Sequence, residues 1–203
     1  MRFASSVAGA QRQAWAAVVS AALLVASNSV PSAIADGDTE TFKFPPIDRS
    51  IKDRCTFSSS AMGQANAARD KLYDLRECKM SGAKAGGYDL SGALMADGDF
   101  SKVDFKEAQL SKVFALKANF DGADFSNGIV DRAYFKGASL KGTLFNNAVL
   151  SGTTFEDADL TDSDFTEAYV GMFDQRKLCK NPTLKGENPI TNADTRESAG
   201  CGG

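Results

Sequence analysis

Residues 88–125 read YDLSGALMADGDFSKVDFKEAQLSKVFALKANFDGADF, and an apolar residue stands at every fifth position of this stretch. The same frame runs without a shift from residue 73 to residue 170. A fixed period over so many units indicates a repeat architecture in which each unit stacks on its neighbours. The apolar positions are Leu75, Met80, Ala85, Leu90, Met95, Phe100, Phe105, Leu110, Ala115, Phe120, Phe125, Val130, Phe135, Leu140, Phe145, Leu150, Phe155, Leu160, Phe165 and Val170.

Two places before each apolar position stands a residue that is usually small, and the residue between them is often Asp or Asn, so the repeat reads A-D/N-L/F-x-x. This period fits neither an amphipathic helix nor a single strand. If four units make one square coil, the apolar residue and the small residue point inward, and the rest face solvent. Stacked at the inter-strand spacing of roughly 4.8 Å, about five coils make a rod about 24 Å tall.

Glycine recurs two places after the apolar position. This placement fits a corner turn whose third residue needs a positive φ, as in a type II turn. The glycines at this position are Gly82, Gly87, Gly92, Gly122, Gly137, Gly142 and Gly152.

The repeat resembles the pentapeptide-repeat family. The flanking run GQANAARDKLYDLREC (63–78), the repeats DLSGALM (89–95) and NGIVDRAYFKGASLKG (127–142) and the tail LCKNPTLKGENP (178–189) resemble the lumenal members of plant and green-algal thylakoids. The resemblance implies an all-β solenoid, a right-handed quadrilateral β-helix of about five coils, for which we expect short helical caps at both ends. It also implies a non-enzymatic protein of the thylakoid lumen.

Composition narrows the range of functions. The chain has 203 residues, no histidine and a formal net charge of −3. The commonest general base and the commonest metal ligand are therefore missing. The charge is too small for a nucleic-acid-binding surface or an extreme acidic mimic.

The first 35 residues predict a cleaved export signal. Residues 14–26, AWAAVVSAALLVA, are apolar, follow Arg2 and Arg12, and precede an A-x-A site that predicts cleavage after Ala35. The run is too short for a membrane span of about 20 residues, which disfavours the alternative of an anchor. No Arg-Arg pair precedes it, so the Sec route is favoured over twin-arginine export. The expected location is the thylakoid lumen, or a cyanobacterial lumen or periplasm if the organism is prokaryotic.

Three segments follow the signal. Residues 36–72 form a leader and a capping helix, in which residues 61–72 place Ala61, Ala65, Ala68 and Leu72 at helical spacing. Residues 73–170 form the β-helix. Residues 171–203 form a C-terminal cap, with a brief helix over 174–179 and then a loop. Such covers are needed because a bare terminal coil exposes unpaired backbone groups and an apolar cross-section.

Four cysteines predict two disulfides, since exported compartments permit them. Cys179 and Cys201 flank a loop without a core of its own, so a bridge there is expected. A second bridge, Cys55 to Cys78, would fix the leader to the first coil. The alternative for Cys78 is a free thiol packed at an inward position. A zinc site is disfavoured because the spacings supply no paired ligands.

No residue set predicts catalysis, a cofactor or a metal site. The carboxylates are explained by the D/N position of the repeat, where they face solvent. They include Asp74, Asp89, Asp99, Asp104, Asp124, Asp159 and Asp164. A packed interior of Leu and Phe also leaves no ligand cavity.

Residues twenty apart stack, so the position before the apolar residue forms four outward columns. Two of these columns are mainly polar, and the other two carry apolar and aromatic residues. These two lie on adjacent sides and predict an apolar interaction surface. Its residues are Leu94, Phe114, Tyr134, Ile129, Val149 and Tyr169. Two alternatives stay open: the leader or tail folds over these columns, or the stacked side chains only stabilise the ladder.

Charge gives a second surface feature. Residues 153–168 hold six acids and no basic residue, which is typical of a solvated face but would also attract a basic partner.

The expected function is a protein-interaction scaffold whose partner is a lumenal or lumen-exposed photosynthetic protein. One alternative is a DNA-mimicking gyrase-binding protein, which the export signal and the scattered lysines disfavour. The other is a thiol- or redox-regulated lumenal protein, which rests on the cysteines. No nucleic acid and no stable membrane span after cleavage are expected.

Overall fold

The structure is a computed structural model, and it describes residues 43–59 and 73–202. The predicted export signal and the predicted capping helix over 61–72 lie outside the described residues. In the part of the chain that is described, no helix is long and apolar enough to cross a membrane.

The repeat region is a stack of four-sided coils joined by parallel backbone pairing. Sixteen parallel bridges connect residues that lie twenty apart, from Asp74 with Leu94 to Val149 with Tyr169. The Leu75 amide donates to the Leu94 carbonyl at 2.7 Å, and the Leu94 amide donates back to the Tyr73 carbonyl at 2.9 Å. The predicted coil of twenty residues is confirmed, and each column has five members. The right-handed sense implied by the resemblance stays a prediction.

We number the faces by the residue before each inward apolar residue. The first face carries Asp74, Leu94, Phe114, Tyr134 and Thr154; the second, Lys79, Asp99, Asn119, Ser139 and Asp159; the third, Lys84, Asp104, Asp124, Leu144 and Asp164; the fourth, Asp89, Gln109, Ile129, Val149 and Tyr169.

Each corner is a tight turn whose third residue has a positive φ. All seven glycines predicted there have φ between 62° and 72°. Twelve other corners have the same conformation without glycine, at φ between 54° and 60°. These twelve are Glu77, Asp97, Lys102, Glu107, Lys112, Lys117, Asn127, Arg132, Asn147, Asp157, Asp162 and Glu167. The ladder imposes this conformation, because the amide of the third residue donates to the next coil, as Glu77 does to the Ala96 carbonyl at 3.0 Å.

The interior is filled by the inward residues, as the repeat predicts. On the third face the rings of Phe105, Phe125, Phe145 and Phe165 stack with centroids 4.9, 5.2 and 5.1 Å apart. All four are buried. Offset stacks of this kind add to the free energy gained from burial alone. The small inward residues, such as Ala123 and Ala148, are equally buried, so the prediction of the core is confirmed.

The last coil is closed by the C-terminal tail, which supplies the acceptors that a further coil would have supplied. The Leu160 amide donates to Thr183 Oγ1 at 2.9 Å, and the Asp162 amide donates to the Lys185 carbonyl at 2.9 Å. The Phe165 amide donates to Ser198 Oγ at 3.1 Å.

Two short helices lie in this tail, α1 at Met172–Leu178 and α2 at Thr195–Ser198. The first covers most of the predicted helix over 174–179 and begins two residues earlier. The second lies in the segment predicted to be a loop, and Asp194 caps it by accepting from the Arg196 and Glu197 amides.

The first coil is closed by side chains of the leader. Arg54 Nη1 donates to the Arg76 carbonyl at 2.7 Å and to the Asp74 carbonyl at 3.2 Å. In every later coil the carbonyls at these two positions accept hydrogen bonds from backbone amides of the preceding coil. The first coil has no preceding coil, so the Arg54 side chain takes the place of those amides. Phe57 lies across the end of the core, with its ring 5.5 Å from that of Phe105.

Both predicted disulfides are present, Cys55 with Cys78 and Cys179 with Cys201. The alternative of a free thiol at Cys78 is therefore wrong, although its inward position is correct, since Cys78 is 1% exposed. Each bridge closes a loop of just over twenty residues, which stabilises the folded chain by roughly 3 kcal/mol in the chain-entropy description.

The corners predict an outcome at Gly142, where φ is 62° and no atom lies within 4 Å of an added Cβ. We expect Gly142→Val to lower the free energy of unfolding by about 1–3 kcal/mol, because a β-branched residue fits a positive φ poorly. The matched control, Gly142→Asn, should lose no more than about 0.5 kcal/mol, since Asn tolerates this conformation. Urea unfolding measures both variants, and equal losses would contradict the assignment of strain to the corner.

Candidate interaction surface

The two outward columns of the first and fourth faces are the candidate surface. Side chains alternate direction along each side of the coil, so the residue before an inward residue points outward. The bridges connect Phe114 with Tyr134 and Ile129 with Val149, and the corner at residues 131–133 joins the two faces. The predicted adjacency of the two columns is therefore built into the coil.

We call the end with the first coil the upper end and the end with the last coil the lower end. The upper part of the first face is covered, which corrects the expectation from the sequence. Leu94 is 4% exposed, and Phe114 is half-buried with its ring 4.8 Å from that of Phe44 in the leader. The six residues therefore do not form one exposed patch. The alternative, in which the leader folds over these columns, describes the upper half of the first face.

A salt bridge holds the leader in this place. Arg76 bonds Asp74 through two nitrogens, Nε to Oδ1 at 2.8 Å and Nη2 to Oδ2 at 2.6 Å. The same Nη2 donates to the Pro45 carbonyl at 2.9 Å, and the guanidinium lies 5.7 Å from the centre of the Phe44 ring. Arg76 is thus a bracket between the first coil and the leader, with the cation over an aromatic face.

The pKa values of the two groups in the bracket are set by their mutual hydrogen bonds and charges, which outweigh partial burial. Partial burial raises the pKa of the Asp74 carboxyl, but the hydrogen bonds and the charge of Arg76 outweigh it, so the pKa is lowered. The hydrogen bonds to Asp74 raise the pKa of Arg76 in turn. Both groups are charged at neutral pH, and the pair is largely shielded from water.

The stacked aromatic residues of the first face also support their own ladder. The rings of Phe114 and Tyr134 lie 5.2 Å apart and nearly parallel, at 3°. The second alternative, that stacked side chains stabilise neighbouring coils, therefore applies to this pair. Neither ring is fully exposed.

The lower end of the fourth face is the part that stays open. Ile129 and Val149 are half-buried, and Tyr169 is 65% exposed. At the start of α1, Met172 is 66% exposed and Phe173 is 75% exposed. We call these five residues the lower apolar patch.

The start of α1 lies beside Tyr169. Asp174 Oδ2 accepts from the Gly152 amide at 2.7 Å, and Gly152 is at the corner between the fourth and first faces. Met172 and Phe173 were not among the predicted surface residues, because the period ends at Val170. The available signal was a pair of large apolar residues directly after the last repeat.

The acidic run is less uniform than the sequence suggests. Lys136 pairs with Glu156 at 3.3 Å, and Lys141 pairs with Asp159 at 3.2 Å. Asp164 is buried and accepts from Asn146 Nδ2 at 2.7 Å and from the Thr166 amide at 2.8 Å. Asp157 and Glu167 are exposed and form no ion pair with any described residue.

The described residues contain no group of three or more Cys, Asp or Glu side chains that could hold a metal ion. A cleft of about 140 Å³ lies between the last coil and the tail, lined by Phe165, Gln175 and Ser198 among others. It is small, and Gln175 is already bonded to the Ala199 carbonyl at 3.1 Å.

These features define a capped solenoid of five-residue units. The family described as "Pentapeptide repeats" matches the chain in eight copies, over residues 74–111, 89–127 and 131–167. The repeat region of this chain belongs to the pentapeptide-repeat family.

Three solved structures illustrate what the chain is similar to. A pentapeptide-repeat protein of the Arabidopsis thaliana thylakoid lumen, AT2G44920, is 27% identical, with 63% of this chain and 90% of that chain covered and a TM-score of 0.41. Rfr23 of the cyanobacterium Cyanothece 51142 is 21% identical over 52% of this chain and 65% of that chain, with a TM-score of 0.38. HetL of Nostoc sp. PCC 7120, involved in heterocyst differentiation regulation, is 22% identical over 48% of this chain and 55% of that chain, with a TM-score of 0.35. No curated protein sequence matches the chain.

The bracket predicts a pH dependence. Because the folded pKa of Asp74 is lowered, its contribution to stability is complete above the unfolded pKa of about 3.9 and is lost as the pH falls through the folded pKa. We expect Asp74→Asn to lower the free energy of unfolding by about 1–2 kcal/mol near neutral pH and by less at pH 3, below the unfolded pKa.

The matched control is Asp97→Asn, at an exposed corner whose carboxylate bonds no described residue. It should change the free energy of unfolding little at either pH. Urea titrations at the two pH values measure the difference. A deficit of Asp74→Asn that stays constant with pH would contradict the role of the ionised bracket.

Proposed function

We propose that this protein is a non-enzymatic scaffold of the thylakoid lumen that binds a partner protein through the lower apolar patch. The observation that carries the proposal is the exposure of Tyr169, Met172 and Phe173 at one end of the solenoid, at 65%, 66% and 75%. Contiguous apolar surface on a folded protein commonly marks an interface, and aromatic residues supply much of the binding energy there.

The patch is presented on a rigid support. Tyr169 pairs with Val149 in the backbone ladder, and α1 is fixed to the last coil by Asp174. The disulfide between Cys179 and Cys201 ties the end of α1 to the end of the tail. A surface that is already ordered loses little conformational entropy on binding, so more of the contact energy becomes affinity.

Charges of both signs surround the patch. Glu167 lies at the outer corner of the fourth face, and Asp157 at the outer corner of the first face, both exposed. Basic charge lies closer still, because the Arg176 guanidinium is 5.8 Å from the centre of the Phe173 ring and Lys177 follows it in α1. A partner that inserts apolar side chains would therefore meet charges of both signs at the rim, and such rim charges steer the approach. The candidate partners are lumenal or lumen-exposed photosynthetic proteins.

The proposed compartment rests on two properties of the chain. Residues 1–35 have the pattern of an export signal, and all four cysteines are paired, which suits an oxidising compartment. No observation favours the alternative of DNA mimicry. Basic residues of the corners, such as Lys102, Lys112 and Arg132, interrupt any acidic stripe, and the open surface is apolar.

The patch is tested with a photoreactive benzoylphenylalanine placed at position 173, and in a control at position 190, where Ile190 is 67% exposed elsewhere on the tail. We expect a partner to cross-link at position 173 and not at position 190. With that partner purified, Tyr169→Ser with Phe173→Ser should weaken binding at least about tenfold, which corresponds to loss of one aromatic contact. Ile190→Ser should leave the Kd unchanged, and equal behaviour of both sites would sink the proposal.

The compartment is tested by fractionation and N-terminal sequencing of the mature protein. The export signal predicts a first residue at or near Asp36 and recovery in the lumenal fraction. A mature protein that begins at Met1 in the stroma or cytosol would rule out the lumenal assignment. Binding at the lower apolar patch would then have to be explained in that compartment.

A further inference from the structure

The upper first face already holds a peptide, the leader segment 43–54. Its Phe44 ring packs on Phe114, its Pro45 carbonyl accepts from Arg76, and Arg49 pairs with Glu77 at 2.6 Å. Arg54 donates to two carbonyls of the first coil. Beneath this segment lies the buried Leu94, which belongs to an apolar column.

The segment lies on the face without becoming part of the ladder. Among the described residues, no backbone-to-backbone hydrogen bond joins residues 43–54 to any coil, and the one backbone bond in the segment runs from Arg54 to Ile51. Every coil residue beneath it keeps its own pairing, as Leu94 does with Tyr73. The segment is held by side-chain contacts, so the backbone pairing between the coils is kept when it departs, and only the Asp74 and Arg76 carbonyls lose the hydrogen bonds from Arg54.

The Cys55–Cys78 disulfide cross-links the end of this segment to the first coil, in addition to the chain itself and the hydrogen bonds of Thr56 and Ser59 to the coils. Cys55 directly follows the segment and is exposed, whereas its partner Cys78 is buried in the first coil. The tether gives the segment a high effective concentration at the face. Cys179 and Cys201 are both half-buried, so Cys55 is the most exposed of the four cysteines.

We propose that the upper first face is a docking groove for an extended segment with an aromatic residue followed by proline and flanked by basic residues, filled by residues 43–54 until the Cys55–Cys78 disulfide is reduced. The groove is independent of the lower apolar patch. Its chemistry is set by Phe114 for the aromatic residue, by Arg76 for a carbonyl, and by Glu77 for a basic residue. The segment itself has four basic and two acidic residues.

The opening step is a thiol–disulfide exchange with a protein or small-molecule dithiol. A thiolate of the dithiol attacks Cys55 Sγ, the bond between the two cysteines breaks, and Cys78 leaves as a thiolate and takes up a proton. The second thiol of the dithiol then attacks the mixed disulfide and releases Cys55 as a thiol. Two electrons pass to the protein, and the dithiol becomes a disulfide.

The probe is a fluorescent peptide of residues 43–54, KFPPIDRSIKDR, and the readout is anisotropy. The receptor is the variant Cys55→Ser with Phe44→Ala, which lacks the Cys55–Cys78 disulfide and the competing ring but keeps the Cys179–Cys201 bridge. We expect saturable binding to this variant and at least tenfold weaker binding to the oxidised wild type. A peptide with Ala at the Phe44 position should bind at least tenfold more weakly than the parent peptide.

Whether the disulfide controls access to the groove is tested by measuring peptide binding to the wild type before and after treatment with dithiothreitol. Reduction should raise the affinity for the peptide at least tenfold, and the phenylalanine-free peptide should gain little. A Phe173→Ser variant should behave like the wild type throughout, which separates this groove from the lower apolar patch.

Two results would overturn the proposal. If the variant without the Cys55–Cys78 disulfide is folded, as cooperative urea unfolding would show, and still binds no peptide, the face is not a docking groove. If that variant binds but reduction leaves the wild type unchanged, the disulfide does not control access. Should the double substitution prevent folding, Phe44→Ala alone, assayed with and without dithiothreitol, decides between the same outcomes.

Discussion

The backbone ladder between residues twenty apart is the interaction on which the whole structure depends. Each coil donates to the coil after it and to the coil before it, as Leu75 and Leu94 show. Because the unit is short, the ladder fixes the inward direction of every fifth residue, and the phenylalanine stacks follow from that register. The core is thus a consequence of backbone pairing as much as of apolar burial, and the two reinforce each other at every coil.

The ladder also has a cost, which is concentrated at the corners. A residue such as Lys112 or Glu107 holds a positive φ because its amide must reach the next coil. Left-handed backbone is unfavourable by roughly 1 kcal/mol for residues other than glycine, so twelve such corners represent a substantial strain. Cooperative stacking over five layers offsets it, and the strain explains why glycine recurs at the same place in the repeat.

Much of this architecture could be predicted from the sequence, because a strict period carries information about register. The inward residues, the glycine corners, the twenty-residue coil and the two disulfides were all readable. The cover over the first face was only one of the open alternatives, since the leader has no period and nothing in the order of its residues decides that Phe44 packs on Phe114. The capping roles of Arg54 and Ser198 were hidden, because each satisfies a backbone group that only the folded chain leaves unpaired.

The same problem of an unpaired end coil is solved in two ways, and this difference locates the surfaces open to partners. At the first coil the leader reaches over the outer face, so Arg54 closes the ladder while Phe44 covers the apolar column. At the last coil the closing groups, Thr183 and Ser198, act on the second and third faces. The fourth face therefore keeps Tyr169 exposed, and α1 adds Phe173 beside it. The first coil leaves carbonyls unpaired and the last coil leaves amides unpaired, and each end is closed by its own flanking segment with its own disulfide. The ends differ because the leader also covers an outward apolar column, whereas the tail leaves Tyr169 exposed.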